Sequence, residues 1–226
     1  EIVVFSTTGD QIQDRPLNEI GGKGLFTKEL ELALLDGRAD IAVHSLKDVG
    51  VIMPDGLELA AYLPREDVRD VLLTRDGGGL DSLPQGAVLG TASLRRQALV
   101  KSLRPDLRVK LFRGSVQTRL AKLAEGQADA TLLALAGLKR LGLDESVPHS
   151  LMEPHSFLPA MAQGAIALQV RSGDTSCRTL AEALDDPATA QAVRAERACL
   201  AELDGSCRTP LAGWARPTGQ LGQLKL

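Results

Sequence analysis

Hydrophobic and polar residues follow the same order in two parts of the chain, residues 23–43 and residues 113–134. Each part begins with a basic residue and a glycine, and continues with apolar residues at the spacing of an amphipathic helix. A turn of the form acidic-Gly-x-Ala-Asp follows, with Gly37 or Gly126 where a helix C-terminus favours a left-handed residue. A short apolar run then predicts a strand buried on both faces of a parallel sheet. The pattern predicts two strand-helix-strand units, although any two such units share these features.

Length and composition favour two lobes. The chain has 226 residues, 44% of them hydrophobic and only 3% aromatic, with 22 glycines and 11 prolines. This balance is typical of an α/β protein with aliphatic strands and many tight turns. The length lies near the size at which one domain becomes two, and two lobes would leave a cleft between them. A further helix is predicted from about Pro187 to Leu203, with Asp185 or Asp186 as its N-cap.

Basic residues follow several of the predicted strands. Ligands of open α/β sheets bind beyond the carboxyl ends of the strands, and Thr91 or Ser93 is placed to cap a helix there. Arginine suits carboxylates better than lysine does. The set therefore predicts a ligand with several carboxylates or phosphates, while a solvated surface charge is the alternative for any single residue. The basic residues at these positions are Lys47, Arg95, Arg96, Arg113, Arg119, Lys139 and Arg140.

Asp48 is an acid among these bases, a few residues after the apolar run 41–43. We expect the nearby cations to keep its carboxylate ionised. An ionised carboxylate in a cleft can accept an N–H group and stabilise a cationic intermediate. The alternative is that Asp48 caps the N-terminus of a helix.

The three cysteines, Cys177, Cys199 and Cys207, are an odd number without Cys-x-x-Cys spacing. This pattern argues against a disulfide framework and a zinc site, so we assign no metal, and it suits a reducing, cytoplasmic setting. Cys199 lies inside the predicted C-terminal helix and is expected to pack there. Cys207 lies between small residues in a loop beside Arg208, where we expect an exposed and partly ionised thiol.

Charge and hydropathy exclude two classes of partner. A formal net charge of −3 and a pI near 5.7 argue against nucleic acid, whose binding usually needs a basic surface. No apolar run approaches the roughly 20 residues that span a bilayer, so we expect no membrane partner. The chain also has neither a Gly-x-x-x-x-Gly-Lys-Ser/Thr loop nor a Gly-x-Gly-x-x-Gly sequence, and a nucleotide site has no motif to support it.

Taken in order along nearly the whole chain, these segments resemble the porphobilinogen deaminase family. The matching segments are 21–26 (GGKGLF), 43–48 (VHSLKD), 90–96 (GTASLRR), 113–114 (RG), 118–119 (TR), 136–142 (AGLKRLG), 158–160 (LPA), 163–164 (QG) and the loop around Cys207.

The resemblance implies a transferase of heme and tetrapyrrole biosynthesis that joins four porphobilinogen units head to tail and releases linear hydroxymethylbilane. A cysteine at the position of Cys207 carries a dipyrromethane cofactor through a thioether bond. Porphobilinogen loses ammonia to give an azafulvene, and the free α-carbon of the terminal pyrrole attacks it. Hydrolysis releases the product after four additions.

The resemblance also implies roles for single residues. Asp48 is expected to hold the pyrrole N–H groups and to stabilise positive charge as bonds break and form. The residues expected to bind the cofactor, besides Cys207 and Asp48, are Lys47, Thr91, Ser93, Arg95, Arg96 and Arg119. The residues expected to bind the substrate are Lys23, Phe26, Arg113, Arg140 and Gln163.

The implied fold is α/β, with two lobes like those of type II periplasmic binding proteins, mixed and mainly parallel sheets, and a small α+β C-terminal domain. Residues 1–64 and 165–183 are expected to form domain 1, residues 68–160 domain 2, and residues 187–226 a fragment of domain 3. The family normally opens with a further strand and helix, and it continues well past the cysteine. We therefore expect the chain to begin in mid-strand at Glu1 and to lack both ends. We expect a monomer.

A different class of protein stays open as the alternative: a non-catalytic, two-lobed binding module for a small carboxylate ligand. It would share the fold and the basic cleft. It would need neither a cysteine in a Gly-Ser-Cys loop nor an acid among the bases.

Overall fold

The computed structural model describes residues 1–12, 24–203, 205, 209–218 and 224–226. Its α-helices are α1 (Thr8–Gln11), α2 (Lys28–Leu35), α3 (Leu94–Leu103), α4 (Val116–Ala124), α5 (Leu135–Arg140), α6 (Thr175–Glu182) and α7 (Pro187–Glu202). Short 3-10 helices cover Leu46–Asp48 and Leu80–Ser82. Its strands are β1 (Ala42–Ser45), β2 (Leu57–Tyr62), β3 (Asp70–Thr74), β4 (Val88–Gly90), β5 (Arg108–Lys110), β6 (Ala130–Ala134), β7 (Ser150–Met152), β8 (Ile166–Arg171), β9 (Arg216–Pro217) and β10 (Leu224–Lys225).

The strands form two main sheets. The first has the order β1-β8-β2, with β8 antiparallel to both neighbours. The second has the order β5-β4-β6-β3-β7, in which β4 runs parallel to β5 and β6 while β3 runs antiparallel to β6 and β7. A small antiparallel pair, β9 and β10, follows near the C-terminus.

The predicted α/β class with mixed sheets is confirmed, but "mainly parallel" is wrong for the strands that the structure describes. Among the described strand pairings, only the two made by β4 are parallel. The reason is topological, because β3 and β8 each enter a sheet from the other one and run against their neighbours there.

The two repeated units differ in their strands. In the second unit β6 lies between β4 and β3, and its first four residues are buried, as predicted. In the first unit β1 pairs with β8 alone among the described strands, its residues alternate between buried and exposed, and Val43 is 60% exposed. The prediction that this strand is buried on both faces of a parallel sheet is therefore wrong, because β1 pairs along one edge only and turns every second side chain outward.

The predicted helices and their ends are confirmed. Helices α2 and α4 occupy the two expected stretches. Gly37 and Gly126 follow them with φ of +72° and +76°, a backbone conformation that glycine adopts without a Cβ clash. Ser93 caps α3 and Asp186 caps α7, each through a side-chain oxygen that accepts a backbone N–H.

The start of the chain is not a strand. Residues 1–7 pair with no described strand, and Ile2 and Val4 are almost fully exposed. The expectation of a strand at Glu1 is wrong for this structure, because an extended segment needs a neighbouring strand to satisfy its backbone. Thr7 instead begins α1 with a reciprocal capping box to Asp10.

The second sheet is covered on both faces. On one face Leu72, Leu89 and Leu132 pack against Phe157, which is fully buried. On the other face Leu73 and Leu133 pack with residues of α4 and α5. Burial of this much aliphatic surface at about 25 cal/mol per Å² supplies the main driving force for the fold, and it holds the ends of β4 and β6 rigidly beside each other.

Two segments join the sheets. Residues 63–69 lead from β2 to β3, and residues 153–165 lead back from β7 to β8. Helix α7 begins against the first of these segments, since Asp186 donates its backbone N–H to the carbonyl of Tyr62 and Arg65 donates its own to Thr189 Oγ1. Within the described part of the chain, no helix combines the length and apolar character needed to span a membrane.

Candidate active site

A cleft of about 1360 Å³ lies between the ends of the two sheets. Its walls come from both: the turn after β1 on one side, and the segments after β4 and β5 on the other. Most of the predicted site residues line it, namely Phe26, Lys47, Asp48, Thr91, Ser93, Arg95, Arg96, Arg113, Arg119 and Gln163. Chain segments that are far apart in sequence thus bring these side chains to one cleft.

Three predicted site residues are not among the lining side chains. Arg140, at the end of α5, donates from Nη2 to the carbonyl of Gly164 over 2.7 Å and does not line the cleft. Lys23 and Cys207 lie outside the described residues. The described neighbours of the cysteine loop, Gly205 and Thr209, both line the cleft.

Asp48 reaches the cleft from the 3-10 helix that directly follows β1. It is the last residue of that helix, and Ser45 holds the N-cap position, so the alternative of a helix cap is wrong. Desolvation by the surrounding protein raises the pKa of the Asp48 carboxyl. The positive charges of Lys47 and Arg119 act in the opposite direction but are weaker. We expected the cations to dominate; burial outweighs them here.

Lys47 shares this environment. Burial lowers the pKa of its ammonium to about 8, despite the attraction of Asp48. Its Nζ lies 3.4 Å from Oε1 of Gln163, which is fully buried on the returning segment between the sheets. The lysine is therefore still mostly protonated at neutral pH, and it contacts a buried amide.

Arg95 and Arg96 face an anion of the protein itself, which the sequence analysis missed. Asp70, fully buried at the start of β3, lies 2.7 Å from Arg95 Nη2 and 2.6 Å from Arg96 Nη2. Burial alone would raise the pKa of Asp70, but the two arginines outweigh it and hold that pKa below its usual value. The sequence did contain an indication of this contact. Asp70 directly precedes the apolar run Val71-Leu72-Leu73, and a carboxylate buried with such a run needs a charged or hydrogen-bonding partner.

The side chains of Thr91 and Ser93 fix the backbone of the segment after β4. Thr91 Oγ1 accepts the backbone N–H of Ser93 over 3.1 Å, and Ser93 Oγ accepts that of Arg96 over 3.4 Å. These bonds fix the first turn of α3, which begins at the cleft with two arginines in that turn. A helix N-terminus with adjacent guanidinium groups favours bound negative charge.

Arg113 and Arg119 differ in how they are held. Arg113 Nη2 donates to the carbonyl of Gly9 over 2.9 Å, a contact across the cleft. Gly9 lies directly against the ring of Phe26, where a Cβ would be 2.3 Å from a ring carbon. Arg119 has a buried Nε with no hydrogen-bond partner in the described structure, and burial together with Arg96 lowers its pKa to about 10. Buried donors in proteins are nearly always hydrogen-bonded, so this one is available to an acceptor from outside the described protein atoms.

The sequence and structure of this chain are similar to those of known proteins. The family model described as "Porphobilinogen deaminase, dipyromethane cofactor binding domain" matches residues 1–179. A porphobilinogen deaminase of Nitrobacter winogradskyi is 56% identical over 218 residues, covering 96% of this chain and 69% of that protein. One from Paracoccus denitrificans is 53% identical over 224 residues, covering 99% and 71%.

Among solved structures, the similarity is lower. The VFT2 domain of Bordetella pertussis BvgS, a double mutant, has a TM-score of 0.45 at 18% identity, over 76% of this chain and 72% of that one. That similarity is too distant to bear on function. The extent of the family match and the identity to its members are decisive: this chain belongs to the porphobilinogen deaminase family.

Proposed function

We propose that this chain catalyses the hydroxymethylbilane synthase reaction, the deaminating condensation of four porphobilinogen units on a dipyrromethane primer followed by hydrolytic release of the linear tetrapyrrole. One observation carries the proposal: a partly buried carboxylate, Asp48, lies in a cleft whose other charged side chains are mainly cationic. The cations match the acetate and propionate groups of the substrate, and the acid matches its N–H group and developing positive charge.

The cleft fits a dipyrromethane group attached at Cys207. Its volume of about 1360 Å³ exceeds the roughly 300–1,000 Å³ of an ordinary small-molecule site, which suits a ligand that grows. Arg95 Nε and Arg119 Nε are buried donors without a hydrogen-bond partner among the described residues. Gly205 and Thr209, which line the cleft, are each two residues away from Cys207 in the sequence.

When bound, the dipyrromethane supplies a terminal pyrrole whose free α-carbon is the nucleophile. The residues that would hold its carboxylates are Lys47, Arg95, Arg96 and Arg119, with Thr91 and Ser93 as hydroxyl donors at the first turn of α3.

Asp48 acts on the substrate in this proposal. Its carboxylate accepts the pyrrole N–H of porphobilinogen and stabilises the positive charge that spreads over the ring as the bond to the aminomethyl nitrogen breaks and ammonia leaves. A fixed anion is effective because it needs no reorganisation at that moment. Phe26 packs against the ring, and Arg113 and Gln163 orient the substrate's side chains.

We also propose that the chain has three domains: residues 1–64 and 165–183, residues 68–160, and the fragment 187–226. The presence of two sheets, joined by residues 63–69 and 153–165, supports this division. Lys23 and Arg140 are proposed to bind substrate carboxylates, Arg140 after release from Gly164. A monomer in the cytoplasm is proposed as the working form, since a thiol must stay reduced until it is alkylated.

Intact mass spectrometry tests the proposal on protein produced in cells that make tetrapyrroles. We expect the chain to be heavier than its sequence mass by one dipyrromethane. Cys207→Ser should remove this excess, whereas Cys199→Ser, a change within α7, should keep it. Wild-type protein at its bare sequence mass, or an excess that survives Cys207→Ser, would contradict the proposal.

A further inference from the structure

One carboxylate in the core contacts two of the arginines that line the cleft, Arg95 and Arg96. Asp70 Oδ1 accepts from Arg96 Nε over 3.1 Å and from Arg96 Nη2 over 2.6 Å, a two-pronged contact. Asp70 Oδ2 lies 2.7 Å from Nη2 of Arg95. Each oxygen therefore faces a different guanidinium: Oδ1 accepts hydrogen bonds from Arg96, while Oδ2 makes an ion pair with Arg95 and no hydrogen bond to the described residues.

The two arginines retain different donors. Arg96 also donates from Nη1 to the carbonyl of Leu132 over 2.9 Å, so all three of its nitrogens contact the protein. Arg95 donates from Nη1 to the carbonyl of Leu158 over 2.6 Å, and its buried Nε has no hydrogen-bond partner in the described structure. Arg96 is thus clamped, while Arg95 keeps a donor for another acceptor.

Asp70 also lies where the connecting segments meet. It is the first residue of β3, directly after residues 63–69, and its Oδ1 accepts from Gln163 Nε2 over 3.1 Å. Gln163 belongs to the returning segment and accepts from Lys47 Nζ over 3.4 Å. A continuous set of contacts therefore links the lysine of one sheet to the arginines of the other through Asp70.

We propose that Asp70 is a positioning residue for substrate and cofactor carboxylates: it clamps Arg96, orients Arg95 with its Nε free, and ties both to the segments that connect the two sheets. The inference rests on the proposed function and deepens it. Two guanidinium groups and one carboxylate leave one net positive charge, enough to attract a ligand carboxylate while keeping two buried cations compensated.

Removal of the charge separates positioning from simple neutralisation. If Asp70 only neutralised the arginines, Asp70→Asn would raise the positive potential of the cleft and tighten anion binding. If Asp70 positions them, the same change weakens binding, because the amide offers one acceptor oxygen and the guanidiniums lose their shared orientation.

The probe is a pyrrole that bears acetate and propionate side chains but no aminomethyl group, so that it binds without reacting. Calorimetric titration of the cofactor-loaded protein should give about a tenfold weaker Kd for Asp70→Asn. Asp67→Asn is the matched control: it removes the ion pair to Arg69 on the same connecting segment but outside the cleft, and it should bind as the wild type does. Unchanged or tighter binding in folded Asp70→Asn would overturn the inference. Loss of probe binding in the wild type itself would instead reject the proposed function.

A measurement on the wild type keeps the inference testable if Asp70→Asn fails to fold. The Nε–H signals of the arginines in a nitrogen-15 NMR spectrum can be assigned from Arg95→Lys and Arg96→Lys. The Arg96 signal should exchange slowly with water and stay in place when the probe is added, while the Arg95 signal should shift. Exchange of Arg96 as fast as that of the exposed Arg38 would show that Asp70 does not hold it.

Discussion

Arg65 and Glu196 form a buried ion pair in which Nη1 and Nη2 of the arginine lie 2.7 and 3.0 Å from the two carboxylate oxygens. Glu196, in the middle of α7, is fully buried and also accepts the backbone N–H groups of Ala162 and Ala215. Arg65 Nε donates to the carbonyl of Gln163 over 2.9 Å. One glutamate thus joins both segments between the sheets to the helix that leads to the cysteine loop.

Glu196→Gln should destabilise the protein strongly. The change leaves the Arg65 guanidinium with an uncompensated buried charge, and loss of one partner of such a pair costs about 3–5 kcal/mol. Denaturant unfolding measures the free energy of unfolding. Glu202→Gln, at the exposed end of the same helix, should change it by less than about 0.5 kcal/mol. If Glu196→Gln lowers the free energy of unfolding no more than Glu202→Gln does, the ion pair contributes little to stability.

Asp48→Asn should abolish most turnover and leave the fold intact. The amide keeps the shape of the side chain but not the negative charge that the proposal places beside the substrate's developing cation, a loss of about 10²–10³ in kcat. Substrate consumption and circular dichroism check the two halves of this prediction. Asp55→Asn, at an exposed acid on the loop that follows the 3-10 helix of Asp48, is the control and should turn over normally. A near-normal kcat in Asp48→Asn would remove the residue from the mechanism.

The pH profile of kcat/KM should be bell-shaped and narrow. Asp48 acts as an anion, and because its pKa is raised by burial, activity should fall with decreasing pH sooner than it would for a free carboxylate. Lys47 binds carboxylates only as a cation, so activity should fall as the pH rises past its pKa of about 8.

Lys47→Arg identifies the group behind the alkaline limb. Arginine stays charged at every pH of the assay, so this limb should move to higher pH in the variant even if kcat is lower. The exposed Lys101→Arg should leave the profile unchanged. An alkaline limb that does not move in Lys47→Arg would assign it to another group.

Ala162→Gly should be better tolerated than the same change nearby. Ala162 has a φ of +62° on the segment between the sheets, where a left-handed alanine costs roughly 1 kcal/mol that glycine does not. This gain offsets the greater backbone entropy that glycine brings to the unfolded chain, about 0.5–1 kcal/mol. We expect a free energy of unfolding within about 0.5 kcal/mol of the wild type.

Ala165→Gly is the comparison for that prediction. Ala165 is equally buried but has no positive φ, so it has no strain to relieve and should lose about 1 kcal/mol. If both variants lose the same amount in thermal or denaturant unfolding, the backbone of Ala162 is not strained.

The sequence alone determined the local elements and the residue types of the site. The helical spacing of apolar residues predicted α2 and α4, and Gly37 and Gly126 marked their ends, because capping and helix periodicity act between neighbours in the chain. The bases at the strand ends and Asp48 predicted a charged cleft for the same reason: the carboxyl ends of strands are local features. The proposed roles of these residues remain predictions.

Only the tertiary structure decided direction, pairing and protonation. Whether β1 is central or at an edge depends on partners distant in sequence, and the antiparallel entry of β3 and β8 depends on the two connecting segments. Asp70 contacts two arginines of the cleft because folding buries it between them, although they lie 25 and 26 residues further along the chain. The pKa of Asp48 is raised by the surrounding protein, and solvation is a property of the assembled fold that no single stretch of sequence contains.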